Sequence, residues 1–164
     1  MTLETFKQYA KHKDGTYVAY QMSKESRDLL DHFVEMNLGL TERIDPETYH
    51  ITIIYSRTPV PMAEQFAGPT TATANAVGYE VFPTKTGDKC LVLRVQSTQA
   101  EVFNKHLGSL GATSDYDVYK PHVTICYTYT GESSVADLPV PKFPLYFDRI
   151  DVTPLDPQFV PGNK

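Results

Sequence analysis

The sequence predicts an α+β fold of two lobes with antiparallel sheets, related by a pseudo-twofold axis around a central cleft. Landmarks recur 72 residues apart: Gly15 and Gly87, Gly39 and Gly111, and His50 and His122. Each half shows the same order of patterns, namely strand, helix, strand and strand. One such unit cannot bury both faces of its sheet. Two units side by side, with helices outside and strands facing inward, can do so.

The strands are predicted from runs of β-branched and aromatic residues bounded by glycine and proline. Six segments have this pattern: residues 16–21, 50–55, 71–81, 90–95, 122–127 and 143–152. Residues 57–69 contain prolines and a glycine, which predicts a loop with at most one short turn. The tail, residues 154–164, carries further prolines and is expected to be loosely ordered.

Two helices are predicted from apolar residues at helical spacing. Ser23 can cap the first helix and Gly39 can end it, with a stripe of Leu29, Leu30, Phe33, Val34 and Leu38. Thr98 and Glu101 have the spacing of a capping box for the second helix, and Gly111 follows it. The second stripe consists of Val102, Phe103, Leu107 and Leu110.

Length and charge limit the function classes. The 164 residues are the size of one domain, with an internal repeat over about residues 15–81 and 87–153. The 15 basic and 20 acidic residues give a net charge of −5. Binding a long nucleic acid requires many cations to neutralise its phosphates, so this partner is not expected. A small anionic ligand in a local pocket remains compatible with the charge.

The cysteines and the N-terminal segment indicate a cytoplasmic protein. Cys90 and Cys126 do not form a C-x-x-C motif, and two cysteines do not make a disulfide framework. Residues 1–13 contain no continuous apolar stretch of the secretory type, and no run in the sequence approaches membrane-spanning length. We therefore expect reduced thiols and no membrane partner. The oligomeric state cannot be predicted.

The strongest chemical signal is a doubled strand motif, HITIIY over residues 50–55 and HVTICY over residues 122–127. Side chains two positions apart in a strand share a face. His50 and Thr52 therefore point one way, as do His122 and Thr124, while the intervening apolar residues point into the core. With the two lobes related by a twofold axis, both His-Thr pairs face one cleft.

This set of groups suits phosphodiester cleavage. A neutral histidine accepts the proton of an attacking hydroxyl, and a protonated histidine gives a proton to the departing oxygen. Threonine hydroxyls donate to the non-bridging oxygens, where charge builds up. Neither a metal nor a cofactor is required, and none is predicted.

A structural explanation competes with the catalytic one, because one H-x-T pattern in a strand is a weak signal. Its recurrence at a fixed offset favours catalysis. The other histidines, His12, His32 and His106, have no such partner in the sequence, and a surface position is expected for the latter two. Strict alternation places Cys126 toward the cleft and Tyr55 and Tyr127 toward the core, but Ile54, at the place equivalent to Cys126, favours packing for this cysteine.

The paired motifs, with Pro121 directly before His122, resemble the two-histidine (2H) phosphoesterase superfamily over residues 16–153. That superfamily includes RNA 2′,3′-cyclic and 2′-5′ oligonucleotide phosphodiesterases. The segments GTYVAY, YHITIIYSRTP and YKPHVTICY look most like the phage anti-CBASS phosphodiesterases, which destroy cyclic di- and trinucleotide messengers of bacterial antiphage immunity. The resemblance implies that His50 and His122 are the acid–base pair and that Thr52 and Thr124 bind phosphate.

The resemblance also implies an aromatic residue near the N-terminus that stacks on a base. Tyr17 is the first choice and Tyr20 the second. Being three residues apart, they point to opposite faces of a regular strand, so only one should reach the cleft, and a core position is the competing interpretation of each. Lys120 and Arg57 flank the motif strands and are candidate phosphate contacts, although a solvated surface charge is the simpler interpretation of Arg57.

The leading functional hypothesis is a metal-independent phosphodiesterase that cleaves 3′-5′ linkages of cyclic oligonucleotides by attack of the ribose 2′-OH. The alternatives are an RNA 2′,3′-cyclic or 2′-5′ phosphodiesterase and a non-catalytic protein that sequesters cyclic nucleotides. The first alternative requires a wider basic track for an RNA strand, which this acidic sequence does not show. The second does not need two histidines. Base preference, ring size and the assignment of acid and base are left open.

Overall fold

Six antiparallel strands form the scaffold of the part of the chain that this computed structural model describes: residues 2, 3, 7, 10–84, 86–131 and 134–156. They are β1 (Thr16–Met22), β2 (His50–Ser56), β3 (Gly68–Pro83), β4 (Lys89–Gln96), β5 (His122–Cys126) and β6 (Leu145–Pro154). All six predicted strands are confirmed. The largest difference is β3, which begins within the predicted loop. Most of the tail, residues 157–164, lies outside the described residues.

The strands pair in the order β2-β1-β6-β3-β4-β5. The first repeat contributes β1, β2 and β3, and the second contributes β4, β5 and β6. The order is unchanged when the two repeats are exchanged and the sheet is read from its other end, which confirms the pseudo-twofold relation. However, β6 pairs with β1, and β3 pairs with β4. Each lobe is thus completed by the last strand of the other repeat.

The two long helices are α1 (Lys24–Asn37) and α2 (Thr98–Ser109). Ser23 caps α1 as predicted, since its hydroxyl accepts the Ser26 amide at 3.3 Å. The predicted cap of α2 is wrong by one residue. Ser97, in an extended conformation, accepts the Ala100 amide at 3.2 Å and is the N-cap, so Thr98 is already helical.

Three short 3₁₀ turns accompany these helices within the described residues: Pro46–Thr48, Pro61–Phe66 and Val135–Asp137. The second of them is the turn expected in the loop after β2. Nothing helical in the described part of the chain has the length and apolar character that a bilayer crossing requires.

The apolar face of the sheet packs against the helices. Side chains of four strands on this face are fully buried, and so are Leu30 of α1 and Leu107 of α2; the strand residues are Val18, Ile51, Leu93 and Val123. Burial of a side chain of this size stabilises the fold by about 1.5–3 kcal/mol. The other face of the sheet is left for the cleft.

The two edge strands, β2 and β5, carry the two motifs and pack against each other. The Ile44 amide, ahead of the 3₁₀ turn that precedes β2, donates to the Ile125 carbonyl at 3.0 Å. In the other direction, the Tyr119 hydroxyl, just before β5, donates to the Thr52 carbonyl at 2.8 Å. These bonds occupy carbonyl groups that an open edge strand would expose. The contact between the two edge strands therefore brings the two motifs together.

Candidate active site

A β-bulge interrupts each motif strand at the same place. In β2, Thr52 pairs with Ala19 but Ile54 pairs with Val18, which leaves Ile53 as the extra residue. In β5, Thr124 pairs with Val92 but Cys126 pairs with Leu91, so the extra residue is Ile125. Two consecutive core-facing residues result in each strand, and the residues after the bulge exchange faces.

The bulges overturn two orientations expected from strict alternation, those of Cys126 and Tyr55. Cys126 is buried in the core, so its predicted packing role is confirmed although the expected facing was wrong. Tyr55 pairs with Tyr17 and its ring lies edge-on at 6.4 Å between centroids, which places it on the cleft face. Tyr127 follows the second bulge, packs against the core as expected, and lies near Tyr17 and Cys90. Both tyrosines are half-buried.

The two motif histidines are held by the same hydrogen bond. Nδ1 of His50 lies 2.6 Å from the Thr48 carbonyl, and Nδ1 of His122 lies 2.7 Å from the Lys120 carbonyl. A carbonyl oxygen can only accept, so Nδ1 carries a proton in both rings. Nε2 is therefore the ring atom that exchanges protons. Each strand supplies one imidazole with a defined tautomer and orientation.

The two motif threonines are also held in matching ways, each from the neighbouring strand. The Tyr17 hydroxyl lies 2.9 Å from Oγ1 of Thr52. The Cys90 thiol takes the equivalent place in the other lobe and hydrogen-bonds the Thr124 side chain. Burial raises the pKa of Cys90 to about 11, and burial also raises the pKa of Tyr17. Both partners are thus neutral near pH 7 and orient the threonine hydroxyls without adding charge.

Of the two candidate stacking residues, the structure places only Tyr17 in the cleft. Its ring lies edge-on to His50, with 6.4 Å between centroids. Tyr20 is 5% exposed and packs in the core against Phe103 and Phe147. The prediction of Tyr20 as a base-stacking residue is therefore wrong, because its ring points to the helix side of the sheet.

The two candidate cations differ in their surroundings. Lys120 holds His122 through its carbonyl, and its ammonium lies 3.7 Å from Glu80. Arg57 makes a bidentate ion pair with Asp115 at 3.0 Å and lies over the Tyr55 ring. Its charge is already matched by Asp115, so the structure does not favour Arg57 as a phosphate contact and agrees with the simpler interpretation of a surface charge.

His122 has neighbours that the sequence analysis missed. The Phe82 ring lies edge-on at 5.1 Å between centroids, and Arg94 is the cross-strand partner of His122. Burial lowers the pKa of His122, while its bond to the Lys120 carbonyl opposes this shift. One signal was present in the sequence: Arg94 is the only charged residue of the apolar segment over 90–95.

The remaining histidines lie outside this site. His32 and His106 are exposed on their helices, as expected. His12 has partners that no motif indicated, because it is fully buried between Glu64, 2.8 Å away, and the Thr16 hydroxyl, 3.1 Å away. Within the described residues, no three His, Cys, Asp or Glu side chains lie close enough together to hold a metal ion.

Two H-x-T strands, one at each edge of a pseudo-symmetric antiparallel sheet and packed against each other, define the 2H phosphoesterase class. Among the solved structures that share the fold are two bacterial proteins. Escherichia coli LigT, in complex with NADP⁺, gives a TM-score of 0.55 at 14% identity and covers 84% of this chain and 85% of that one. A protein of Thermus thermophilus gives 0.56 at 12% identity and covers 84% and 86%.

The sequence comparisons identify the family. The family model of the anti-CBASS protein Acb1 matches residues 14–161. The Acb1 protein of Enterobacteria phage T4 is 31% identical over 144 residues, which are 84% of this chain and 92% of the relative. That of Vibrio phage KVP40 is 30% identical over 115 residues, or 69% and 72% of the two chains. This chain belongs to the Acb1 family, and it is a phosphodiesterase of the 2H type.

Proposed function

We propose that this protein cleaves the 3′-5′ linkages of cyclic di- and trinucleotide immune messengers inside the infected bacterial cell. The observation that carries the proposal is the pair of imidazoles, His50 and His122, each held through Nδ1 on one of two packed edge strands. Family membership supports the substrate class, since its relatives are named anti-CBASS proteins. No metal or cofactor takes part in the proposed reaction.

In the proposed reaction, one histidine removes the proton of the ribose 2′-OH as this oxygen attacks the adjacent phosphorus. The 2′-O–P bond forms and the P–O5′ bond breaks, while the other histidine gives its proton to O5′. The product is a 2′,3′-cyclic phosphate, which water can then open. The 2′-OH is covalently held beside the phosphorus that it attacks. The reaction therefore avoids much of the entropy loss of bringing a separate nucleophile to the phosphate.

The environment of His122 favours it as the base. Its lowered pKa increases the neutral fraction near pH 7, and a base must be neutral to accept a proton. We therefore assign proton removal to His122 and proton donation to His50. Thr52 and Thr124 then donate to the non-bridging oxygens of the phosphate between the two rings.

A panel of substrates tests the proposed function against its alternatives. The wild-type protein is incubated in EDTA with 3′-5′ cyclic dinucleotides, cyclic trinucleotides, linear RNA with a 2′,3′-cyclic phosphate end and a 2′-5′-linked oligonucleotide. We expect cyclic di- and trinucleotides to be cleaved fastest. Faster cleavage of either linear substrate would favour the RNA or 2′-5′ phosphodiesterase. Tight binding of cyclic nucleotides without any turnover would indicate a sequestering protein.

Replacing the motif threonines tests the phosphate contacts. Thr52→Val and Thr124→Val keep the side-chain shape and remove one donor each. A transition-state hydrogen bond of this kind contributes about 2.7–4 kcal/mol, so kcat should fall about 100- to 1,000-fold in each variant. Thr73→Val, in β3 outside both motifs, serves as the control. Unchanged kcat in both motif variants would show that these threonines only favour the strand conformation and do not contact the phosphate.

The pH profile tests the assignment of His122. Burial lowers the pKa of His122 from its ordinary value of 6.5, so this ring stays neutral to lower pH than an unperturbed histidine. A plot of kcat/KM should therefore be bell-shaped, and its acidic limb should fall to half at a pH below 6.5. An acidic limb centred well above that pH would contradict the assignment.

A further inference from the structure

A second cation lies beside the motif of β5. Arg94 of β4 is the cross-strand partner of His122, and paired residues project from the same face of a sheet. The Arg94 side chain is 28% exposed. It therefore lines the cleft next to the imidazole, on a strand whose other residues are mostly buried.

The charge of Arg94 is only partly matched. Its Nη1 lies 3.4 Å from Oε2 of Glu80, which is long for a charged pair. Glu80 is shared, since its other oxygen lies 3.7 Å from the Lys120 ammonium. Two cations therefore share one carboxylate, which leaves a local excess of positive charge in a chain whose net charge is −5.

The guanidinium also has an unsatisfied donor. Among the residues that the structure describes, Nε of Arg94 is buried and meets no hydrogen-bond acceptor. Leaving a buried polar group unpaired costs about 1–3 kcal/mol, and more for a charged group. Glu80 contacts Nη1, so the edge formed by Nε and Nη2 is not the edge that holds the carboxylate. This edge is the one that binds an oxyanion in a side-on, bidentate arrangement.

The two lobes differ at this position. The residue that pairs with His50 in the same way is Gln21 of β1, which is neutral. The histidines and threonines follow the pseudo-twofold symmetry, but the residues that pair with the histidines do not: Arg94 beside His122 is charged and Gln21 beside His50 is neutral. A difference of this kind at matched positions indicates that the two halves of the cleft bind different parts of a substrate.

We propose that Arg94 binds a non-bridging phosphate oxygen of the substrate beside His122, through its Nε–Nη2 edge. This inference rests on the proposed function, because it takes the ligand to be a phosphodiester. Binding draws the guanidinium toward the cleft and gives the Nε hydrogen an acceptor. Glu80, held by Lys120 as well, keeps the side chain in place when the site is empty.

Steady-state kinetics with a 3′-5′ cyclic dinucleotide tests this proposal in wild type, Arg94→Met, Arg94→Lys and Arg43→Met. Arg43 is the matched control, because its side chain is 29% exposed and is paired with Asp31 at 3.0 Å, outside the two motifs. Arg94→Met removes a charged hydrogen bond to the substrate, so its KM should rise about 10- to 100-fold. Arg94→Lys should recover part of the loss, since it keeps the charge without the fork. Arg43→Met should match wild type.

Direct binding separates this inference from the proposed function. His50→Ala and the double variant His50→Ala/Arg94→Met are titrated with the same dinucleotide, and the added change should weaken Kd by about the same factor as KM. If the KM of Arg94→Met and the Kd of the double variant both stay within twofold of their controls, the role of Arg94 is wrong. This holds even if the wild type cleaves the dinucleotide and the proposed function is correct.

If the wild type binds the dinucleotide but does not cleave it, only the proposed function is wrong. The Kd comparison then still decides the role of Arg94. If no cyclic or linear oligonucleotide binds, both proposals are wrong.

Discussion

His50→Ala and His122→Ala should each lower kcat by a factor of about 100 to 10,000, the range that one general acid or base contributes. The two rings perform different proton transfers, so neither can replace the other. Both are only partly buried, and Nδ1 of each ring bonds a backbone carbonyl within its own segment. The fold should therefore survive both substitutions, with circular dichroism and Tm close to those of the wild type.

His32→Ala and His106→Ala are the matched controls, because both rings are exposed on helices outside the motif strands. They should keep wild-type turnover. The double variant His50→Ala/His122→Ala should retain cyclic dinucleotide binding while losing turnover. If either single motif variant kept a near-normal kcat, paired acid–base catalysis would be wrong.

A cyclic dinucleotide with 2′-deoxyribose on both sugars should bind and resist cleavage completely. Its phosphates and bases are unchanged, but the nucleophile of the proposed reaction is missing. A linkage that starts from the ribose 2′ oxygen should resist as well, because no 2′-OH lies next to its phosphorus. Competition against the ribose compound measures binding, and mass spectrometry measures cleavage.

Water as the nucleophile would remove both restrictions, since the same histidine base could activate it. Rapid cleavage of the deoxyribose compound would therefore replace the proposed mechanism by direct hydrolysis and leave the two histidines in their roles. Failure of this compound to bind would show instead that the 2′-OH groups contribute to recognition.

Local patterns were sufficient to predict most of the fold. The six strands, the Ser23 cap and the 72-residue repeat follow from β-branched runs, helical periodicity and glycine positions, all of which are short-range signals. The exchange of β3 and β6 between the lobes could not be predicted in this way. It depends on which strands pair over long sequence separations, and residue periodicity does not report pairing.

The candidate site was predictable only where strand alternation holds. His50 and Thr52 precede the bulge at Ile53, so their shared face follows from the period of two, whereas Tyr55 comes after it. Arg94 was missed because its significance depends on its partner across β4 and β5. Tyr20 was wrongly included because an aromatic residue in a strand looks the same whether it faces a cleft or a core.

The most direct test of the central claim is the mass of the first product formed from a 3′-5′ cyclic dinucleotide by the wild-type protein in EDTA. Samples are quenched early, before a second cleavage or ring opening can accumulate. We predict a linear dinucleotide with a 2′,3′-cyclic phosphate end, which has the same mass as the intact ring and separates from it by chromatography. A first product heavier by one water, with no cyclic phosphate at any time, would contradict attack by the 2′-OH. No product at all would contradict the proposed phosphodiesterase activity on these messengers.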